Sequence, residues 1–317
     1  MKKIIKNLPV PAAGLMLGLA AAGNLVASYG NIFKSMFGIV SALLLLLLLI
    51  KATFTTRAVM EDLKNPAIAG IAGTFPMGIM ILSAYIQPFS PIIGYGMWMV
   101  GTVLQCVLII YFTKKFIFNF DLQKVFPSYF VVYVGIAAAS VAAPVFSATG
   151  TGKGLFWFGF IAYLILLPII TYRVLVIKSI PEPLLPTIIF AAPASLCLVG
   201  YLKLFQEVNM TIFWLLTFLS LIMLFAVLLY MPKMIRLKFY PSYSAFTFPL
   251  VISAIAIKDI DSFLTKMHIG VPGFGYLVHF EELLAVVFVI YVLIRYIGFM
   301  FLQHVKVGSP NVQSVSK

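Results

Sequence analysis

Charge is what this sequence has least of. Only 10% of its 317 residues are Asp, Glu, Lys or Arg, against about 25% in a soluble domain. Acidic residues are rarer still, with 9 Asp and Glu in the chain. A water-soluble globule with an exposed surface is excluded by that deficit. Cysteine is nearly absent. Cys106 and Cys197 both sit in apolar stretches with no second soft ligand near either, which argues against a disulfide or a thiolate metal site. The three histidines, His268, His279 and His304, fall at or near the ends of apolar runs and do not cluster. An intramembrane protease or metalloenzyme needs paired acids or grouped histidines within its apolar segments. Catalysis, a resident metal and a cofactor are therefore not expected. Gly150-Thr151-Gly152-Lys153-Gly154 lacks the spacing of a phosphate loop and reads as a turn between apolar runs.

What is present is apolar: 62% of the residues are hydrophobic, in stretches that recur from end to end. A bilayer core needs roughly 20 apolar residues per helix. Ten such spans fit, at 9–28, 36–56, 66–86, 91–113, 126–146, 154–177, 183–203, 210–232, 241–258 and 280–303. They use up almost the whole chain, which reads as a single transmembrane domain over 1–317, with 308–317 a flexible tail. Lys2, Lys3 and Lys6 precede an apolar run without a convincing small-residue cleavage site, so that run is taken as the first span rather than a signal peptide. The segment from Asp259 to Phe280 reads as an ordered external loop. The net charge of +13 would suggest nucleic acid in a soluble protein. Here the basic residues lie between apolar runs, so they report topology. Lys34, Lys153, Lys203, Lys258 and Lys266 fall on one side, and every other Lys and Arg on the opposite side. The positive-inside rule places both termini in the cytoplasm, as expected for a multi-pass protein of the cell's inner (plasma) membrane.

Prolines punctuate the odd spans. Each begins at a proline, Pro11, Pro66, Pro127, Pro186 and Pro241, and each carries a second helix-weakening residue further in: Gly18, Pro76, Gly135, Pro193 and Pro249. A proline at a helix start costs nothing, whereas one inside removes a hydrogen bond and bends the helix. Local wording repeats as well: Thr74-Phe75-Pro76 matches Thr247-Phe248-Pro249, and Pro127-Ser128-Tyr129 matches Pro241-Ser242-Tyr243. Self-similarity at a nearly fixed period marks a repeated unit. The unit is a hairpin of one kinked and one straighter helix. Five of them predict an all-α membrane protein whose kinked odd helices line a central pore ringed by the even helices. Non-helical backbone at membrane depth is tolerated where it lines such a cavity. The leucine run 43–49 suits an outer, lipid-facing position.

The opening Leu8-Pro9-Val10-Pro11-Ala12-Ala13-Gly14-Leu15, the ten-span plan and Phe246-Thr247-Phe248-Pro249 carry a resemblance. On these features the chain resembles the tellurite-resistance/dicarboxylate transporter family, TehA-like and related to plant guard-cell slow anion channels. The resemblance implies a quasi-five-fold helical barrel, a central anion pore blocked by a phenylalanine, and a homotrimer with one pore per subunit. The long regulatory tails of the plant members are missing here. Partners would be inorganic anions such as chloride and nitrate and the lipid bilayer, with no nucleic acid. A carrier for dicarboxylates or other organic anions, linked to tellurite resistance, is the alternative within the same family. A membrane-embedded enzyme or scaffold without flux is a third reading.

The middle of the odd spans holds no Asp, Glu, Lys, Arg or His. Proton-coupled carriers usually place an ionisable group there. An uncharged path offers weak binding and fast exit, which suits conduction of small monovalent anions. Phe248, just before a kink proline, is expected to close the pore, with Phe75 as a second contributor. The pore is expected to be lined at the kinks by Leu17, Gly18, Pro76, Val134, Gly135, Ala192, Pro193 and Pro249. Phe246 lies about 200° from Phe248 around a helix, so the two cannot face one pore. Glu281 and Glu282 read as acids at the N-terminus of the tenth span, where the helix dipole favours them. Arg295, deep in that span, is expected to snorkel to the cytoplasmic face or to pair with a neighbouring polar group.

Overall fold

A lipid-embedded backbone must satisfy its own hydrogen bonds, so an apolar chain of this kind is confined to helices. The computed structural model describes residues 8–178, 187–236 and 239–301, and among them there are helices and no strands. Ten helical segments are long and apolar enough to cross a membrane. In chain order they are α1 (Ala12–Tyr29), α2 (Asn31–Phe54), α3 (Pro66–Ile86), α4 (Pro91–Ile117), α5 (Tyr129–Phe146), α6 (Thr149–Ile177), α7 (Thr187–Leu204), α8 (Met210–Ile235), α9 (Pro241–Lys266) and α10 (Phe274–Met300). Pro186, the opening Lys2, Lys3 and Lys6, and the tail at 308–317 lie outside the described residues.

The spans fall into two classes. In the most apolar stretch of each odd span 67–78% of the residues are buried, against 22–33% in the even spans. Each odd span packs on the even span that follows it. The odd spans also pack on one another in a cycle: α1 on α3, α3 on α5, α5 on α7, α7 on α9, and α9 back on α1. Of the leucine run in α2, Leu43, Leu46 and Leu49 are exposed, and Leu44, Leu45 and Leu48 are turned inward.

Four of the five odd spans are discontinuous. α3 is α-helical over Pro66–Ala72 and again over Thr74–Ile86. α5 passes through a 3₁₀ turn at Val134–Ile136. α7 opens as a 3₁₀ helix at Thr187–Ala191 and becomes α-helical at Ala192–Leu204. α9 does the same, 3₁₀ at Pro241–Phe246 and α over Phe248–Lys266. Pro193 and Pro249 stand in the first turn of these α-segments. The sequence suggests prolines inside bent helices. The structure has the helix ending and restarting, with the proline where its missing N–H has no intrahelical partner to lose. Gly18 differs from the other four positions, since it sits in an unbroken α-helix, Ala12–Leu25.

Carbonyls in these spans are met by side chains of their neighbours. Ser41 Oγ donates to Met16 O at 2.7 Å and Tyr85 OH to Ala20 O at 2.5 Å. Trp98 Nε1 donates to Ala139 O at 3.0 Å. Gln105 Nε2 serves both Val131 O, at 3.0 Å, and Val132 O, at 2.7 Å, just before the 3₁₀ turn of α5. Thr247 Oγ1 donates to Gly14 O at 3.0 Å, and Ser253 Oγ to Ala191 O at 3.1 Å.

Three expectations are corrected. The external loop expected from Asp259 to Phe280 is mostly helix, because α9 runs on to Lys266 and α10 starts at Phe274, leaving only 267–273 between them. Its Asp and Gly residues resemble a loop by composition, but Asp259 and Asp261 are in the last turns of α9. The glycine-rich stretch at 150–154 is the start of α6, where Gly152 packs against Ala143 and Leu204. Glu281 and Glu282 lie two turns into α10, away from its start.

Replacing Gln105 with Leu removes the donor of two carbonyls in a dry site at similar volume. Thermal unfolding in detergent should report a loss of about 1–2 kcal/mol. Thr53→Val, at an exposed hydroxyl bonded only to Ile50 O of its own helix, should leave the transition unmoved. An unchanged transition for Gln105→Leu would mean that another group supplies those carbonyls.

Candidate functional site

Where the helices of the odd spans restart, short side chains and backbone face inward, and a space results. A cavity of about 40 Å³ lies where the odd spans meet. Its walls come from α1 (Gly14), α3 (Ile71, Thr74, Met77), α5 (Phe130, Val131, Val134, Gly135), α7 (Ile189, Ala192, Pro193, Leu196) and α9 (Ser244, Ala245, Phe248, Pro249). All five odd spans contribute and no even span does.

Six residues singled out from the sequence are brought together there: Val134, Gly135, Ala192, Pro193, Phe248 and Pro249. Leu17, Gly18, Phe75 and Pro76 are not among the lining residues. Leu17 is fully buried, and Phe75 is half-buried against the apolar core. Gly18 is pressed against α9, and a Cβ there would overlap the side chain of Thr247. The Pro76 carbonyl lies beside Gly101 of α4, 3.0 Å from where a Cβ on that glycine would stand. Phe246 and Phe248 point different ways, but the helix is broken between them at Thr247, so the separation of about 200° expected of one continuous α-helix is not the reason. Phe248 lines the cavity and is 5% exposed, while Phe246 stacks on Phe288 of α10, with ring centroids 5.9 Å apart and planes at 12°.

Sequence reading missed the rest of the wall, because Ile71, Thr74, Val131, Ile189, Ser244 and their neighbours carry no chemistry that marks them. Gly14 had a signal in principle. A Cβ there would crowd the Ser244 side chain, 2.9 Å from its Oγ, so a small residue suits the close approach of α1 and α9.

The cavity is chemically mild. None of its lining side chains is ionisable, and its side-chain polar groups are the hydroxyls of Thr74 and Ser244. Thr74 Oγ1 donates to Ile71 O at 2.7 Å. The lining contains no nucleophile with an adjacent base. Among the described residues no three His, Cys, Asp or Glu side chains stand close enough to hold a metal.

A second polar cluster lies toward the C-terminal ends of α1 and α9. Lys258 Nζ meets Glu282 Oε1 at 2.5 Å, Ser28 Oγ at 2.8 Å and Leu25 O at 3.4 Å, and Tyr29 OH donates to Glu282 Oε2 at 2.6 Å. Glu282 is thus an ion-pair partner between α9 and α10 and does not cap α10. Glu281 beside it is fully buried and neither of its carboxylate oxygens has a hydrogen-bond partner. Arg295 is exposed and lies over the rings of Phe239 and Tyr291 at 5.3 and 5.9 Å, a cation–π contact that sequence reading did not specify.

No curated protein matches the chain. The family model described as voltage-dependent anion channel, SLAC1, matches residues 7–297. That stretch takes in all ten spans up to the last turn of α10, with every residue of the cavity wall. This ten-span membrane protein therefore belongs to the voltage-dependent anion channel family.

Proposed function

We propose that the chain is an anion channel whose path runs through the cavity among the odd spans and is closed there by Phe248. The observation that carries this reading is the composition of the cavity wall, to which each odd span and no even span contributes. Membership of an anion channel family supports transport over catalysis.

The wall also supports a repeated hairpin. Gly14, Ile71, Val131, Ile189 and Ala245 form one set of lining residues, and Thr74, Val134, Ala192 and Phe248 form a second. From α3 to α9 both sets advance by the same steps of 60, 58 and 56 residues. In this register Thr74, not Phe75, is the counterpart of Phe248. Phe248 is then the one large side chain of its set, opposite Thr, Val and Ala, so a single ring occupies the constriction. An apolar plug of this kind resists wetting and blocks ions without binding them.

Preference for anions needs a source other than charged side chains. The α-helical segments Thr74–Ile86, Ala192–Leu204 and Phe248–Lys266 all begin at the cavity. Their N-terminal ends carry partial positive charge, which favours an anion there. No pair of cationic donors awaits a dicarboxylate, so small monovalent anions fit this path better than the organic anions of a carrier.

The topology follows from the same frame. Lys34 and Lys153 stand in the first turns of α2 and α6, and Lys203, Lys258 and Lys266 near the ends of α7 and α9. These five mark the external side, and both termini are cytoplasmic, in the plasma membrane. Reporter fusions at Lys317 and at Gly270 should label opposite faces; labelling of the same face by both sinks the ten-span orientation.

Single-channel recording on purified protein tests the gate. Phe248→Ala should raise anion conductance at least about tenfold over the parent, with nitrate or iodide passing at least as well as chloride. Phe246→Ala should do much less, because its ring stacks on Phe288 away from the cavity. Conductance in Phe246→Ala with a silent Phe248→Ala would reverse the register. Silence in both, with saturable uptake abolished by a proton uncoupler, would favour a carrier.

A further inference from the structure

The face of α9 that carries Phe248 continues beyond the cavity, and its direction is fixed by two anchors. Phe248–Lys266 is continuous α-helix, so each residue turns the face by 100°. Ser253, about 140° from Phe248 in one sense, reaches α7, where its Oγ meets Ala191 O at 3.1 Å and Ser195 Oγ at 3.3 Å. Lys258, about 80° from Phe248 in the other sense, reaches α1 at Leu25 O and Ser28 Oγ. The direction between these two anchors, on the side of Phe248, is toward the space enclosed by the odd spans. Asp259 falls there, within about 20° of Phe248.

Burial along this face decreases toward the helix end: Phe248 and Ile252 are buried, Ile255 and Asp259 half-buried, and Ser262 exposed. The face therefore opens to solvent at the C-terminal end of α9. Asp259 is the acid on it, and its Oδ2 is buried with no hydrogen-bond partner. Its charged neighbours are Lys203, Lys258 and Lys266. Lys258 is already paired with Glu282. Lys203 is exposed, near the end of α7. It follows Ala192 by the same interval that separates Asp259 from Phe248, and in one continuous helix it shares the face of Ala192, which lines the cavity. Two adjacent odd spans thus bring opposite charges to the same level above the constriction.

We infer that Asp259 and Lys203 form an electrostatic filter at the outer mouth of the anion path, Asp259 opposing anion entry and Lys203 promoting it. The inference rests on the channel reading above. A unit charge about 8 Å from a permeating anion in a wet mouth changes its local concentration by about two- to threefold at low salt, and salt screens the effect.

The test uses the full chain carrying Phe248→Ala, oriented in a planar bilayer. Adding Asp259→Asn should raise, about two- to threefold, the current carried by anions entering from the Lys203 side in low salt. Adding Lys203→Gln should lower it by a similar factor. Both effects should shrink in 1 M salt and be small for anions entering from the opposite side. Equal changes in both directions, or changes insensitive to salt, would show a structural role and overturn the filter. Unchanged currents in a conducting Phe248→Ala background would overturn it while leaving the channel reading intact. A silent Phe248→Ala parent, with no anion current in any variant, removes the channel reading and the filter with it.

Discussion

Everything in this molecule depends on how backbone carbonyls are satisfied where water is absent. An unpaired carbonyl in hydrocarbon costs several kcal/mol, yet four of the five odd spans interrupt their α-helical hydrogen bonding within the span. Neighbouring side chains donate to carbonyls beside two of these breaks, Gln105 to α5 and Ser253 to α7. Gln105 is the fullest case, one amide nitrogen meeting two consecutive carbonyls of α5. Trp98 from the same helix meets a third, two turns further along. Each of these bonds also fixes one span against another, so the repair of the broken helix is the packing of the bundle.

Close approach is the second condition, because side-chain donors as short as Ser and Thr reach only a backbone that is near. Ser41 reaches Met16 O and Thr247 reaches Gly14 O. Small residues on α1 make that possible. At Gly18 a methyl group would overlap Thr247, and at Gly14 it would crowd Ser244. Gly18 thus serves to bring α1 against α9, where they close the cycle of odd spans. Without a hydrophobic drive between helices in lipid, such small-residue contacts and interhelical hydrogen bonds carry the association.

The span count and the distinction between inner and outer helices were legible in the sequence: the count from apolar runs of similar length, the distinction from helix-weakening residues that recur at matching places in the odd spans. Register was not. Matching Thr74-Phe75-Pro76 to Thr247-Phe248-Pro249 gave Phe75 the position of Phe248, but α3 restarts after Gly73, and Thr74 lines the cavity. One residue of slip turns a helix by 100°, enough to exchange a wall position for a flank. The ends of α9 and α10 were hidden for a different reason. Their last and first turns carry Asp, Lys and Gly, which by composition belong to a loop, while the ion pair between Lys258 and Glu282 depends on two helices meeting and has no local signature. The wall residues Ile71, Val131 and Ile189 had none either, since an apolar side chain facing a cavity reads the same as one facing a core.

The position of the prolines reconciles two demands that otherwise conflict. A path for anions needs positive potential at its narrowest point, but a Lys or Arg there would bind the ion and slow its exit. Pro193 and Pro249 each stand in the first turn of a new α-segment, whose positive end is thereby set beside the cavity without a charged side chain. Because the dipole contributes only about half a charge and fades within one turn, in the proposed channel it would attract an anion without trapping it. The cavity wall itself carries no full charge, and Asp259 and Lys203 stand about three turns beyond it. In the proposed channel, attraction at the cavity comes from helix ends and not from charged side chains. That arrangement follows from breaking a helix at membrane depth and starting it again at a proline.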